Sequence, residues 1–399
     1  MPVSQVGVFG KEEMASERFQ WHPLAQVFDG AGGRQVAVLR GPSVIADRPA
    51  ALALAQALAV GAFRIGGGDG AVLPSTIPTF ETLTSGSSGA PRRIRRTHAS
   101  WLASFAVNGG LFGIGPGVGV AVLGGLVQSL ALYGAMEAVQ LGATVHLLGD
   151  VRPDRQRAAL AARGVAVVYA APSQLRLLVE AGGPVCPALR VILVGGSKLD
   201  PGLVADLRAM APTARVVEFY GAAEASFITL ADALTPAASV GRAYPGVQID
   251  VRGGQIWVRS PYLFQGYAGT DPGGAKWDND WLSVGEMGRM EEGYLYLSGR
   301  AGRMVTVADQ NVFPEEIEGF MVGLPGVSRV AVLPRADAMR GRVLVAVVIG
   351  DAACEAAILA AVRARFGPLK SPRALIWRTD WPVLASGKTD LRTLSQVHT

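Results

Sequence analysis

Cysteine and histidine are scarce in this chain: 399 residues hold two cysteines, Cys186 and Cys354, and four histidines, His22, His98, His146 and His398. Two cysteines so far apart make no disulfide framework, and nothing among these side chains has the spacing of a zinc site. Runs of basic residues interleaved with aromatics are also missing, which argues against nucleic acid as a partner. The N-terminus carries Glu12 and Glu13 and no apolar core of the kind a signal peptide needs, so a cytoplasmic location is expected. Residues 99–136 have no formal charge and pass a simple length test for a bilayer. Glycines at 109, 110, 113, 115, 117, 119, 124 and 125 would break a continuous helix there, so a buried helix, loop and strand is expected and no membrane span. No internal repeat is visible.

What is present is a large apolar fraction, 50% of residues, with a net charge of +5. That length and composition predict two or three domains with well-filled cores, and the diffuse positive charge favours anionic small molecules. Residues 35–40 read as a short buried strand and 49–60 as an alanine-rich helix with proline in its first turn. Apolar runs at 119–123, 144–148, 165–169 and 191–194 alternate with helical stretches at 129–141, 152–163, 173–181 and 201–210. This rhythm predicts a mainly parallel sheet whose ligands sit at the carboxyl ends of its strands. From about residue 239 it gives way to short strands such as 248–251, 255–259 and 294–297, the pattern of a small barrel or antiparallel subdomain. Beyond residue 302 a compact unit is expected: helix 314–321, strands 327–333 and 343–349, helix 355–366 and strand 374–378.

The segment Thr84, Ser85, Gly86, Ser87, Ser88, Gly89, Ala90, Pro91, Arg92, Arg93 is the most informative stretch. Glycines let backbone N–H groups turn toward one point, while hydroxyls and arginines add donors and positive charge, which suits a polyphosphate. The same composition describes a flexible linker, so the segments that follow decide between the two. They are Glu218, Phe219, Tyr220, Gly221, Ala222, Ala223, Glu224; then Trp281 to Gly288 with Glu286; then Gly299, Arg300, Ala301, Gly302, Arg303; then Pro314, Glu315, Glu316, Ile317, Glu318; and last Ser386, Gly387, Lys388.

In this order the segments resemble the superfamily of AMP-forming adenylating enzymes, which includes acyl-CoA synthetases, stand-alone adenylation domains and firefly luciferase. The resemblance runs from Thr84 to Leu394. It implies an α/β fold: a large N-terminal domain (1–302) of parallel α/β layers with a small β-barrel-like subdomain, then a small mobile α+β C-terminal domain (303–399). The implied chemistry joins a small carboxylic acid to ATP as an acyl-adenylate, with Mg²⁺, and passes the acyl group to CoA or to the phosphopantetheine of an acyl carrier protein. Both reactants of the first step are anions, so positive charge and donors must surround the phosphorus and hold the partners in line.

By the same resemblance Lys388 is the central cation between carboxylate, ribose and α-phosphate, and Glu224 is the Mg²⁺ ligand. Thr84 to Gly89 with Arg92 would clamp the outer phosphates. Gly195, Gly196 and Ser197 would line the adenine, with Tyr220 stacked on it and Glu218 at its edge, inside the run Phe219, Gly221, Ala222, Ala223. Glu286 would take the ribose hydroxyls with help from Arg300, and Arg303 would mark the hinge on which the small domain turns.

The chain departs from the family pattern at several places. Ala223 replaces a threonine whose hydroxyl reaches the α-phosphate, Glu286 stands for an aspartate, and Gln128 for a histidine near the acyl group. Asp309 follows Ala308 where glycine lets pantetheine pass, and only 83 residues precede the loop, so by the resemblance an abridged N-terminal subdomain is expected. A degenerate member that binds nucleotide or acyl ligand without turnover is the alternative that Ala223, Gln128 and Asp309 favour; Lys388, Glu224 and Arg300 oppose it. Amino-acid activation is disfavoured, because the Phe-Asp pair that would hold an ammonium is absent around residues 124–129.

Overall fold

The computed structural model describes residues 17–30, 43–67, 70–83, 92–269, 273–307, 310–337, 341–384 and 389–396. The expected strand at 35–40, the loop from Thr84 to Pro91, Ala308, Asp309 and the Ser386, Gly387, Lys388 segment lie outside them.

The first part of the chain runs β1 (Gln26–Phe28), β2 (Ser43–Ile45), α1 (Ala50–Ala59), β3 (Ala62–Ile65), β4 (Thr79–Leu83), β5 (Arg93–Thr97) and α2 (His98–Phe112). It continues through β6 (Gly119–Val122), α3 (Ser129–Gln140), β7 (Thr144–Leu147), α4 (Pro153–Ala162), β8 (Val167–Ala170), α5 (Pro172–Glu180), β9 (Val191–Gly195) and α6 (Pro201–Met210). Local chemistry sets these boundaries. The Thr97 side chain accepts the Ser100 N–H at the start of α2, and Gly113, at φ 65°, ends that helix in the left-handed conformation a side chain would resist. Proline opens α4, α5 and α6, where its missing N–H costs no helical bond.

After α6 come β10 (Arg215–Ala222), β11 (Ser226–Ala231) and β12 (Arg242–Ala243). The main sheet has eight strands in the order β1-β7-β6-β8-β9-β10-β11-β12. Its pairings are parallel from β1 through β10 and antiparallel beyond. One core cluster covers the α2 and α3 face and a second the α4, α5 and α6 face. This is the sandwich expected of a parallel sheet with crossover helices.

The chain then forms β13 (Gln248–Arg252), β14 (Gln255–Arg259), β15 (Gly266–Ala268), β16 (Lys276–Asp278), β17 (Trp281–Ser283), β18 (Glu286–Glu291) and β19 (Tyr294–Arg300). All but β15 build an antiparallel sheet around β14, the second of the two forms anticipated, a small barrel or an antiparallel subdomain. Strand β15 instead joins a five-stranded sheet, β15-β5-β4-β3-β2, that no hydrophobic pattern announces.

The C-terminal part holds β20 (Val305–Val307), β21 (Gln310–Val312), α7 (Pro314–Val322), β22 (Val327–Asp337), β23 (Gly341–Gly350), α8 (Glu355–Phe366), β24 (Leu375–Trp377) and α9 (Leu391–Ser395). The sheet β22-β23-β24 is covered by α7 and α8 on one face, and Leu394 of α9 is buried on the other. Among the described residues no helix is long and apolar enough to cross a membrane.

Candidate active site

Strands β4 and β5 form an antiparallel hairpin whose last pair, Leu83 and Arg93, brackets residues 84–91. An ion network stiffens its base. Glu81, 2% exposed, accepts from Arg64 at 2.8 Å and from Arg93 at 2.8 and 3.0 Å. Two cations on one buried carboxylate let each charge keep a partner out of water. Arg93, expected to lend its charge to the loop, is thus engaged with Glu81. Arg92 lies with its guanidinium carbon 5.9 Å from the centre of the Tyr267 ring, and the Tyr267 hydroxyl donates to Glu224 Oε1 at 2.8 Å. At the other foot of the loop Leu83 bridges to Gln128, the residue that precedes α3. The residues that flank 84–91 therefore stand beside Glu224 on one side and the N-terminus of α3 on the other.

The run from Glu218 to Glu224 occupies the end of β10 and the turn into β11. Glu218 accepts the Leu199 N–H at 3.0 Å, tying β10 to the loop that leaves β9. A side chain on Gly221 would lie 2.1 Å from the Ser226 carbonyl oxygen, so only glycine fits this turn. Beneath it sits Arg96, fully buried, which donates to the carbonyls of Ala223 and Tyr262 and to Ser226 Oγ. Loss of hydration lowers the Arg96 pKa to about 9, and the nearby Glu224 carboxylate works against that shift. Arg96 is therefore the peg that holds Ala223 and Glu224 in place.

Tyr220 stands at the centre. Its hydroxyl is buried with no hydrogen-bond partner among the described residues, and burial raises its pKa, with the charges of Glu286 and Glu224 acting in the same sense and Arg300 against. Those three charges belong to segments that the sequence separates and the fold gathers. Glu286 opens β18 and faces Arg300 at the end of β19, whose Nε donates to Glu286 Oε1 at 2.9 Å. Gly195 is the last residue of β9; where its side chain would be lies the Phe219 ring, 2.2 Å from the Cβ position. Gly196 has open space around it and φ +106°, and Ser197 is exposed.

Arg303 follows in a 3₁₀ turn and donates to both carboxylate oxygens of Glu318 at 3.1 and 2.8 Å, with Glu315 at 3.3 Å. Glu315 in turn accepts the Arg300 N–H at 3.4 Å. The chain between the β18–β19 sheet and α7 is thus clasped by charge on both sides. Past the Lys388 position, Thr389 accepts from Trp381 Nε1 at 3.1 Å and Asp390 caps α9, which anchors that segment to the small C-terminal sheet. Sequence reasoning missed Arg96, Tyr267 and Gln174. Arg96 was legible only as one basic residue among several in residues 92–96.

Glu224 Oε1 is used by Tyr267, which leaves the second oxygen for a hard cation. One carboxylate plus phosphate oxygens is the way Mg²⁺ is commonly held. Among the described residues no three His, Cys, Asp or Glu side chains gather into an all-protein metal cage. The buried, unpartnered hydroxyls of Tyr220 and Ser129 are what a polar ligand at this mouth would answer.

Fold and site define a nucleotide-binding α/β protein with a small C-terminal unit clasped to its large one. Residues 71–268 match the model of the AMP-binding enzyme family and residues 316–388 that of the AMP-binding enzyme C-terminal domain. An uncharacterized acyl-CoA ligase, YhfT of Bacillus subtilis, is 32% identical over 328 residues, covering 78% of this chain and 67% of YhfT. The chain belongs to the AMP-binding enzyme family. It spans 55% to 69% of the length of the curated relatives it matches. The fold is shared with O-succinylbenzoate coenzyme A synthetase (MenE) of Bacillus subtilis, solved with ATP and magnesium ion: TM-score 0.69, 20% identity, 83% of this chain and 72% of that one. It is shared too with the amide bond synthetase McbA of Marinactinospora thermotolerans: TM-score 0.74, 21% identity, 93% and 96% covered.

Proposed function

We propose that this chain is an AMP-forming carboxylate–CoA ligase: it joins a carboxylic acid to the α-phosphate of ATP, releases pyrophosphate, and transfers the acyl group from the adenylate to the CoA thiol. The observation that carries this reading is the meeting of Glu224, Tyr220, Glu286 and Arg300 at the carboxyl end of the main sheet, beside both feet of the anion loop.

In this reading Thr84, Ser85, Gly86, Ser87, Ser88, Gly89 and Arg92 hold the outer phosphates, and Glu224 holds Mg²⁺, which neutralises phosphate charge. The Glu286–Arg300 pair takes the ribose, the carboxylate accepting from its hydroxyls. Gly196 and Ser197, with Glu218 and Tyr220, surround the adenine. Lys388 comes from the 303–399 domain to bridge the attacking carboxylate and the phosphorus. Arg303, clasped by Glu315 and Glu318, sits where that domain turns against residues 1–302. The CoA named in YhfT favours CoA over a carrier protein as acceptor.

The test is to incubate the chain with ATP, Mg²⁺, CoA and a panel of acids, and to follow AMP and acyl-CoA by mass spectrometry. Stoichiometric AMP and acyl-CoA support the ligase. Hydroxamate and AMP with hydroxylamine as acceptor, but no thioester when CoA is supplied instead, would limit the chain to adenylation.

A further inference from the structure

Chain order places a crevice in the main sheet. From β6 the chain crosses through α3 to β7 on one side, then through α4 to β8 on the other side of β6, and the two helices lie on opposite faces. Open parallel sheets take ligands outside the carboxyl ends of strands at such a reversal. The loop that leaves β6 carries Gly124 and Gln128, and the first turn of α5, which follows β8, carries Gln174. A side chain at Gly124 would meet Gln128 Oε1 at 2.6 Å and Gln174 Nε2 at 2.9 Å, so the two carboxamides converge above that glycine. The Gln174 oxygen accepts the Ala171 N–H at 2.9 Å, which fixes its amide with the NH₂ group toward Gly124. Neither Gln128 Oε1 nor Gln174 Nε2 is hydrogen-bonded among the described residues, and next to Gln128 the buried Ser129 Oγ has no partner. One free acceptor and one free amide donor at a single point match a group that both donates and accepts.

Two strands further along the sheet the space closes. The Phe219 ring fills the place above Gly195, stands 4.3 Å from the Phe227 ring, and continues through Tyr133 into the layer between α3 and the sheet. Tyr169 completes that layer by lying against Gly134, where a Cβ would be 2.7 Å from its ring.

We propose that the acid activated by this chain is short and carries a neutral hydroxyl-type group beyond its carboxylate, read by Gln128 and Gln174, with Phe219 setting the limit on length. This rests on the adenylation reading above. A second carboxylate is disfavoured at the glutamines, because the groups nearest Gly124 are neutral and would leave it buried without a counter-ion. A long acyl chain or an aryl group would have to displace Phe219 from a packed aromatic layer.

The experiment uses non-reacting adenylate mimics, 5′-O-(N-acylsulfamoyl)adenosines, titrated by calorimetry against the full chain with hydroxypropanoyl, propanoyl, octanoyl and phenylacetyl groups. The hydroxypropanoyl mimic binds tightest and the propanoyl mimic at least about tenfold weaker, the size of effect expected when a buried neutral donor or acceptor loses its hydrogen bond. Octanoyl and phenylacetyl mimics bind weaker still. Gln174→Leu reduces hydroxypropanoyl affinity to the propanoyl level and leaves propanoyl unchanged. Phe219→Gly tightens octanoyl binding, a gain that misfolding cannot imitate. Octanoyl or phenylacetyl binding to the unaltered chain as tightly as hydroxypropanoyl, or a Gln174→Leu variant with the hydroxyl preference intact, overturns the proposal while the adenylation reading stands. Failure of every mimic to bind removes the adenylation reading and this proposal together.

Discussion

At the scale of single residues, two positions make sharp predictions. Ala223 offers no hydroxyl where the family resemblance places one on the α-phosphate. A hydrogen bond to a charged group contributes about 1.5–3 kcal/mol, roughly tenfold to a hundredfold in rate if it is made in the transition state. Ala223→Thr should therefore speed the adenylation half-reaction by about that factor in a stopped-flow assay of pyrophosphate release; an unchanged rate would show that the turn pinned by Arg96 keeps that side chain away from the phosphate. The second position is Glu137, fully buried in α3, where it accepts from Asn108 at 2.8 Å and from the Tyr169 hydroxyl. Burial raises its pKa to about 8. The folded protein then keeps a proton that the unfolded chain releases above its usual value of 4.5, so stability falls as pH rises from there to about 8 and levels off beyond. Glu137→Gln should lack that decline in denaturant titrations run across this range. His98 acts in the opposite sense: burial holds its pKa near 3, and its contribution is lost as pH drops below about 6.5.

At the scale of elements, legibility follows locality. Helices 201–210 and 355–366 and strand 255–259 are found at the limits read from the sequence, because apolar spacing and an opening proline or a flanking glycine are local signals. Strand β5 gave no such signal. Its residues, Arg93, Ile94, Arg95, Arg96 and Thr97, include three arginines, and the groups that compensate two of them are Glu81 in the partner strand and the carbonyls of Ala223 and Tyr262, far away in the chain. A strand buried through such remote partners looks like a surface segment when read alone. Four residues with motif spacing, Glu224, Tyr220, Glu286 and Arg300, stood out for the opposite reason, and the fold brings them together. Arg96 and Tyr267, which hold Glu224, carry no motif. Arg96→Met keeps the volume and removes every donor; the Ala223 carbonyl loses its Arg96 partner, and the Tyr262 carbonyl keeps only the Ser226 hydroxyl at 3.3 Å. Losing these charge-assisted bonds should cost at least about 2 kcal/mol in chemical denaturation. A smaller loss, with activity retained, would mean that the 220–226 turn keeps its shape without this peg.

At the scale of the whole molecule, the proposed function divides the work between two units. In that proposal the large one would supply the anion loop, the nucleotide-facing residues and the metal-binding carboxylate, and the small one would bring Lys388. The Arg300 N–H on Glu315 Oε1 at 3.4 Å crosses from one to the other, and Arg303 braces Glu315 and Glu318 from within the small unit, where the two would turn. Such a division makes adenylation depend on a side chain from the unit that does not bind the nucleotide. The measurement that tests this most directly is carboxylate-dependent exchange of labelled pyrophosphate into ATP, run on the unaltered chain and on Lys388→Ala, with thermal unfolding as a control on folding. The account predicts exchange by the unaltered chain and none above background by Lys388→Ala, at an unchanged melting temperature. Exchange that survives Lys388→Ala, or that appears with no acid in the panel for the unaltered chain, would contradict it.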